Sequence, residues 1–265
     1  MSIDPTATIH PSAVVEAGAI IEANVSVGPF TLVGPKVRLA KGVELKSHVV
    51  VTGNTTIGAD TVVFPFAVIG EIPQDLKFRG EETWLEIGER NRIREHVTMN
   101  TGTEGGGGVT RVGNDGLYMA GCHVAHDAQV GNRVIVVNSA AIAGHCIIED
   151  DVIIGALSGI HQWVRVGRGA IIGALAKATH DVIPYGLVQG PRAALDGLNL
   201  VGLKRKGVAR SDINAMRAGY QMLAQGEGTF QNRAQRLGEE TESDFVREIV
   251  AFIMGDTDRS FLTPE

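Results

Sequence analysis

Aromatic residues are scarce in this chain: eight Phe, three Tyr and two Trp make up 5% of 265 residues. A single large jigsaw core ordinarily draws on more of them, so a core built from many small, alike layers is favoured. The two cysteines, Cys122 and Cys146, give no disulfide framework. Basic residues are outnumbered, 24 Lys and Arg against 30 Asp and Glu, and a net charge of -6 argues against a general nucleic-acid binder. No apolar run approaches the ~20 residues of a membrane span. The opening MSIDPTATIHP has no basic-then-apolar leader. These absences leave a soluble cytoplasmic enzyme as the default expectation.

What is present is glycine, 34 residues of it, and a period of six. From Ile3 every sixth residue is aliphatic through Ile9, Val15, Ile21, Val27, Val33, Leu39, Leu45, Val51, Ile57 and Val63 to Ile69. A small or branched residue follows four positions later, as at Ala7, Ala13, Ala19, Val25, Thr31 and Val37. The pattern breaks at Pro73 and resumes in register at Ile87, so an external loop is expected near 73–84. A second loop near 100–111 shifts the register by one residue, after which the period runs from Val112 to Ala178. Helices repeat every 3.6 residues and strands every two, so neither fits; a hexapeptide repeat marks a parallel β-helix. Three hexads make an 18-residue coil, and coils stack at the ~4.8 Å strand spacing. The expected fold is an all-β solenoid over 1–190.

Past Pro184 the repeat is gone. SDINAMRAGYQMLAQ opens with Ser211 as a candidate N-cap and carries Ile213, Met216, Tyr220 and Leu223 on one face. TFQNRAQRL and SDFVREIVAFIM follow behind Gly-rich or acidic breaks. A small helical domain of three helices is expected over 191–265.

Residues 18 apart lie above one another in such a coil. His126, Gly144, Gln162 and His180 form one column, Asp127 and His145 its neighbour, and Ala125, Ala143 and His161 the column on the other side. The glycine leaves a notch beside His126 and bares a backbone N–H, which suits a developing oxyanion. A single histidine on a solenoid turn is best read as tolerated surface polarity. Four in adjoining columns beside an Asp and a Gly are better read as a site. Cys122 and Cys146 fall at inward small positions and are expected to be structural. The glycine run 105–108 lacks the Lys-Ser/Thr of a phosphate loop and is read as a mobile external loop.

The segments LKSHVVV (45–51), QDLK (74–77), RNRIRE (90–95), AHD (125–127), AGH (143–145), HQW (161–163) and GLKRK (202–206) resemble the UDP-N-acetylglucosamine O-acyltransferases, over nearly the whole chain. Hexads alone are shared by many acyltransferases; AHD, AGH and HQ at 18-residue intervals with QDLK and GLKR are specific. The resemblance implies a left-handed β-helix in a homotrimer. It also implies transfer of an (R)-3-hydroxyacyl chain from acyl carrier protein to the glucosamine 3-position of a UDP-sugar, in the first step of lipid A biosynthesis. No cofactor is implied, since phosphopantetheine enters on the carrier.

On this resemblance His126 is the general base, Asp127 its orienting carboxylate and the Gly144 N–H the oxyanion donor. His123, His145, His161 and Gln162 hold sugar and acyl groups, Gln74, Asp75 and Lys77 contact the nucleotide sugar, and Asn199 and Arg205 lie near uracil and phosphates. Gly173 and Ala174 set acyl length, with Ala174 giving a groove slightly shorter than a second glycine would. Several positions depart from the pattern. Val201 replaces an acidic residue, Lys206 an arginine, Trp163 a frequent Phe and Asn100 an occasional His. Asn100 leaves a 3-amino sugar open as acceptor. The basic residues Arg165, Arg168, Lys204, Lys206 and Arg210 are expected to dock the acidic carrier protein rather than merely to solvate a face.

Four rivals remain, of which acetyl-CoA-dependent hexapeptide enzymes fit QDLK and the three-helix tail poorly. Gamma-class carbonic anhydrases hold zinc with histidines on the same coil, but neither the helical tail nor the long loops serve a carbonate enzyme, and no metal is expected. The N-acyltransferase of the same pathway carries an N-terminal uridine-binding domain, and here the repeat starts at Ile3. Structural or ice-binding solenoids display Thr ladders on a flat face, which this chain lacks.

Overall fold

The computed structural model describes residues 2–257 and 259–264. The chain is a left-handed parallel β-helix followed by helices. Two-residue strands recur every six residues and stack into three sheets of nine, eleven and nine strands among the described residues. The first face begins at Ser2–Ile3, the second at Thr8–Ile9 and the third at Val14–Val15. Pairing is parallel and in register, with Ile3 opposite Ile21 and Val124 opposite Ile142, so 18 residues make one coil.

Each hexad has one packing logic. The aliphatic residue points to the axis, and Ile57, Ile69, Ile93, Ile142 and Ile154 are among the fully buried side chains. The small residue four positions on is also buried, as at Ala19, Val37 and Ala67. Between them runs a tight turn whose third residue takes a positive φ, from Asn24 and Phe30 through Asp127 and His145 to Trp163. The N–H of the residue before it is not needed by the coil. Pro5, Pro11, Pro29, Pro35 and Pro65 occupy that corner position, proline being favoured at the second residue of such a turn. Each buried aliphatic side chain contributes roughly 1.5–3 kcal/mol, so stability accumulates coil by coil. One axial position is out of character: Tyr118 is fully buried, and its hydroxyl has no partner.

Ile57 pairs with Ile87, thirty residues away, and Ile87 with Val112, twenty-five away. The first loop therefore adds twelve residues and the second seven, as the register of the sequence requires. Their limits differ from expectation. Trp84–Ile87 and Val109–Val112 are lengthened strands continuing Asn54–Ile57, so the loops span 72–83 and 101–108. The added backbone pairing at their roots outlasts the hexad.

The three corners differ in character. The corner after the first face is charged, with Arg90 on Asp115 at 2.7 Å and Arg133 on Asp151 at 2.8 Å. The corner after the second is apolar: Phe30, Phe66, Leu157 and Leu175 are 51–64% exposed. There Phe30, His48, Phe66 and His96 stack with ring centroids 5.1, 5.0 and 5.2 Å apart. The corner after the third face carries the polar columns.

The helical part begins later than expected. Gly186–Gln189 extends the second sheet and turns back antiparallel with Ala194–Leu198, closing the open end of the core. Four helices follow among the described residues: α1 (Leu200–Arg205), α2 (Arg210–Ala224), α3 (Phe230–Glu240) and α4 (Asp244–Met254). The first, six residues carrying GLKR with Lys206 as its C-cap, lies outside the three helices expected. Ser211 lies inside α2, whose N-cap is Ala209; the α3 cap at Thr229 is a full capping box with Asn232. Beyond α4 the tail returns to the solenoid, Phe261 bridging Asp181 and Pro264 bridging Leu195. No helix is long and apolar enough to cross a membrane.

Candidate active site

The parallel register places His126 directly above Gly144 and Gly144 above Gln162. A Cβ on Gly144 would stand 2.5 Å from His126 Cε1, so the imidazole lies flat in the space a side chain would fill. The notch expected beside the histidine is occupied by the histidine itself. Gly144 N, at the corner position that proline takes elsewhere, has no hydrogen-bond partner among the described residues.

His126 and Asp127 are buried, with side chains 7% and 1% exposed. Burial pushes the Asp127 carboxyl up. Hydrogen bonds from His126 and Thr103 outweigh it and hold the group below the usual carboxylate range. Asp127 is therefore an acceptor only. Thr103 N–H donates to Oδ1 at 2.8 Å, Thr103 Oγ1–H to Oδ2 at 2.6 Å, and His126 Nδ1–H to Oδ2 at 2.8 Å. That fixes the proton of a neutral His126 on Nδ1 and leaves the Nε2 lone pair bare. Asp127 N–H is in turn bound by Thr110 Oγ1 at 2.7 Å. The Gly106 Cα presses on the carboxylate so closely that a Cβ there would be 2.0 Å from Asp127 Cγ. The glycine run thus opens in a 3-10 turn, Glu104–Gly106, folded over the dyad, and does not stand clear of the coil.

His145 meets His126 edge-on at 4.9 Å and stacks on Trp163 at 3.9 Å, with planes 6° apart. Trp163 is part of the site rather than a packing substitution alone. Burial lowers His145 and His123 below the usual imidazole range. His123 shares a 2.8 Å hydrogen bond with Thr98 Oγ1. Beside this corner, on the first face, lies a cavity of about 650 Å³. Val109, Ile147 and Trp163 give it an apolar floor, and Arg111, Arg165 and Arg259 stand around it. Asp75 and Lys77 of the first loop join Thr103, His145 and Trp163 around a second space of about 310 Å³. Gln74 is exposed and outside that lining.

His126, Asp127 and His145 also bring three ligand atoms within 4.8 Å of one another. Two donors on a tetrahedral zinc at ~2.1 Å stand about 3.4 Å apart. His126 Nδ1 and Asp127 Oδ2 are closer, at 2.8 Å, and Asp127 already holds both Thr103 donors. The set is built as a hydrogen-bonded dyad.

The remaining candidates divide among the other corners. Asn199, Arg205 and Lys206 lie at the charged corner: Asn199 donates to Gly169 O at 3.0 Å, and Lys206 pairs with Asp151 at 2.9 Å. Asn199 also accepts from Gly202 N as the cap of α1, so both ends of its amide are engaged before any nucleotide arrives. Gly173 and Ala174 sit at the apolar corner and share no cleft with His126 within one chain. Arg165 departs from its expected docking role. It is 15% exposed, donates to Asp181 at 2.7 Å and lies 4.5 Å over the Phe252 ring. Its charge is spent inside the fold. Arg168 faces Asp151 and Glu248 at 3.7 Å, whereas Lys204, Arg205 and Arg210 are exposed. Cys122 and Cys146 are buried free thiols pushed up to about 12, inert as expected.

Sequence reasoning missed Thr98, Thr103, Gly106, Thr110 and Arg259. Thr103 and Gly106 ride on an insertion whose path no period describes, and Arg259 arrives from the far end of the chain.

Comparison with known proteins agrees with this geometry. Residues 181–262 match the model described as Udp N-acetylglucosamine O-acyltransferase, domain 2, and residues 145–177 match the bacterial transferase hexapeptide model. The acyl-[acyl-carrier-protein]--UDP-N-acetylglucosamine O-acyltransferase of Paracoccus denitrificans is 67% identical over 204 residues, 77% of each chain. That of Caulobacter vibrioides is 52% identical over 220 residues, covering 83% of this chain and 84% of its own. A solved UDP-N-acetylglucosamine acyltransferase from Campylobacter jejuni superposes with a TM-score of 0.91 at 34% identity, covering 97% of this chain and all of its own. Identity of this extent over most of the chain, with superposition of both coils and tail, places the chain in the UDP-N-acetylglucosamine O-acyltransferase family.

Proposed function

We infer that the protein moves an (R)-3-hydroxyacyl group from the phosphopantetheine thioester of an acyl carrier protein to the 3-hydroxyl of UDP-N-acetylglucosamine, the first step of lipid A biosynthesis. The buried His126–Asp127 pair against an unpartnered Gly144 N–H carries this reading. His126 Nε2 takes the acceptor hydroxyl proton as the oxygen attacks the thioester carbonyl. The tetrahedral oxyanion is bound by Gly144 N–H. Collapse breaks the C–S bond, and the imidazolium returns its proton to the leaving thiolate. Asp127 stays ionised throughout and stabilises the imidazolium.

The catalytic residues, the tail's nucleotide candidates Asn199 and Arg205, and the chain-length candidates fall at three different corners of one prism, so one cleft holding them all needs more than one copy. This supports the homotrimer, with the exposed apolar corner as its natural contact. The exposed Lys204, Arg205 and Arg210 supply a basic surface for an acidic carrier in the cytoplasm.

The test is to incubate the protein with UDP-N-acetylglucosamine, or its 3-amino analogue, and a ladder of hydroxyacyl carrier proteins, reading product masses. Transfer to the hydroxyl sugar is expected, and His126→Ala should lose on the order of 10³-fold in kcat while keeping its fold. A wild-type protein that transfers to neither sugar removes this reading.

A further inference from the structure

Arg259 belongs to the tail beyond α4, and the fold anchors that tail for a purpose. Asp181, fully buried, accepts from Arg165 N and Nε and from Thr257 Oγ1 at 2.7–2.8 Å. Its backbone pairs with Ser260 O and Leu262 N at 2.9 Å. Thr257 Oγ1 accepts from Arg259 N at 3.0 Å. From this clamp the guanidinium crosses to the third face, where one nitrogen, Nη2, lies 2.7 Å from Gln162 O and 3.1 Å from His161 Nδ1.

A guanidinium keeps all its protons and only donates. The two hydrogens on Nη2 satisfy both contacts at once when His161 Nδ1 is the acceptor. A proton on Nδ1 would have to donate to Gln162 O, 3.2 Å away and already bound by Nη2 at 2.7 Å, while facing an Nη2 hydrogen across 3.1 Å. We propose that Arg259 is a positioning residue that holds His161 as its Nε2–H tautomer. His126, fixed by Asp127, carries its proton on Nδ1 and offers a bare Nε2. The two imidazoles, in adjoining columns, are set in opposite tautomers: His126 is equipped to accept a proton, and His161 to donate a hydrogen bond to a carbonyl or hydroxyl oxygen of substrate. Through Gln162 O the same guanidinium ties the coil below Gly144 to the tail.

Only the kinetic part of the test rests on the proposed transfer reaction. Imidazole ¹⁵N NMR of the full chain, at a pH where the ring is neutral, reads the tautomer directly, with His161 assigned by loss of its signals in His161→Gln. Wild type should show a bare Nδ1 and a protonated Nε2, and Arg259→Met should move both signals toward an average. A proton on Nδ1 in wild type, or an unchanged pattern in Arg259→Met, overturns the proposal. In the transfer assay Arg259→Met should lose on the order of tenfold in kcat/KM. Combined with His161→Ala, it should add nothing to the loss of His161→Ala alone, and multiplicative losses would also overturn it. A wild-type protein without transfer activity removes the reaction but leaves the tautomer measurement to decide.

Discussion

Gly144 serves the site twice, by what its Cα lacks and by what its nitrogen keeps. The absent side chain makes room for the His126 ring, and the corner geometry leaves the N–H unclaimed. Gly144→Ala would preserve the N–H but set a methyl 2.5 Å from His126 Cε1, a separation that real contacts do not show. The imidazole must tilt away, weakening its 2.8 Å bond to Asp127. A misplacement of about 1 Å at a catalytic base costs on the order of 10²-fold. We therefore expect kcat of Gly144→Ala to fall about a hundredfold with the thermal unfolding midpoint little changed. Activity within threefold of wild type would show that the ring has another place to go.

Among the elements, the second loop does most for the chemistry. Its 3-10 turn lays Thr103 and Gly106 on Asp127, so an insertion in one coil orients a carboxylate at the next. Thr103→Val removes the hydroxyl donor at nearly constant volume and leaves the backbone donor in place. That should cost roughly tenfold in kcat, and Thr103→Ser should recover most of it. Equal losses in both variants would assign the residue to packing. This loop also marks the limit of what the sequence discloses. The hexads were legible because their period is the packing rule itself, and the loop lengths followed from the register on either side. His126, Asp127 and Gly144 were legible because an 18-residue column is a consequence of that rule. Thr103 and Arg259 were not: they meet their partners across 24 and 98 residues by paths that no repeat encodes. Helix α1 escaped notice because six residues are too few to show a helical period. Arg165 was taken for a surface charge because its partner Asp181 and its cover, Phe252, come from later parts of the chain.

For the molecule as a whole, the corners set the assembly. The charged corner carries ion pairs from coil to coil, while on the next corner Phe30 and Phe66 toward one end and Leu157 and Leu175 toward the other are 51–64% exposed. Large apolar side chains exposed in this way are characteristic of an interface. Leu157→Asp combined with Leu175→Asp places charges on that edge without touching the axis. Sedimentation should show trimers for wild type and smaller species for the double variant, with transfer activity falling in step if, as proposed, the cleft is completed between copies. A wild-type monomer would remove the trimer, and a double variant that stays trimeric would place the contact elsewhere.

The proline-tolerant corner has a broader consequence. At each bend where proline is accepted, the coil can do without that amide hydrogen, which leaves it for other work: along the charged edge the side chains of Asn114, Asn132, Asp150 and Glu149 take it up, and at Gly144 nothing among the described residues does. Building an enzyme on such a frame requires no new backbone, only the selection of one spare amide and the surrounding of it with a base and a lid.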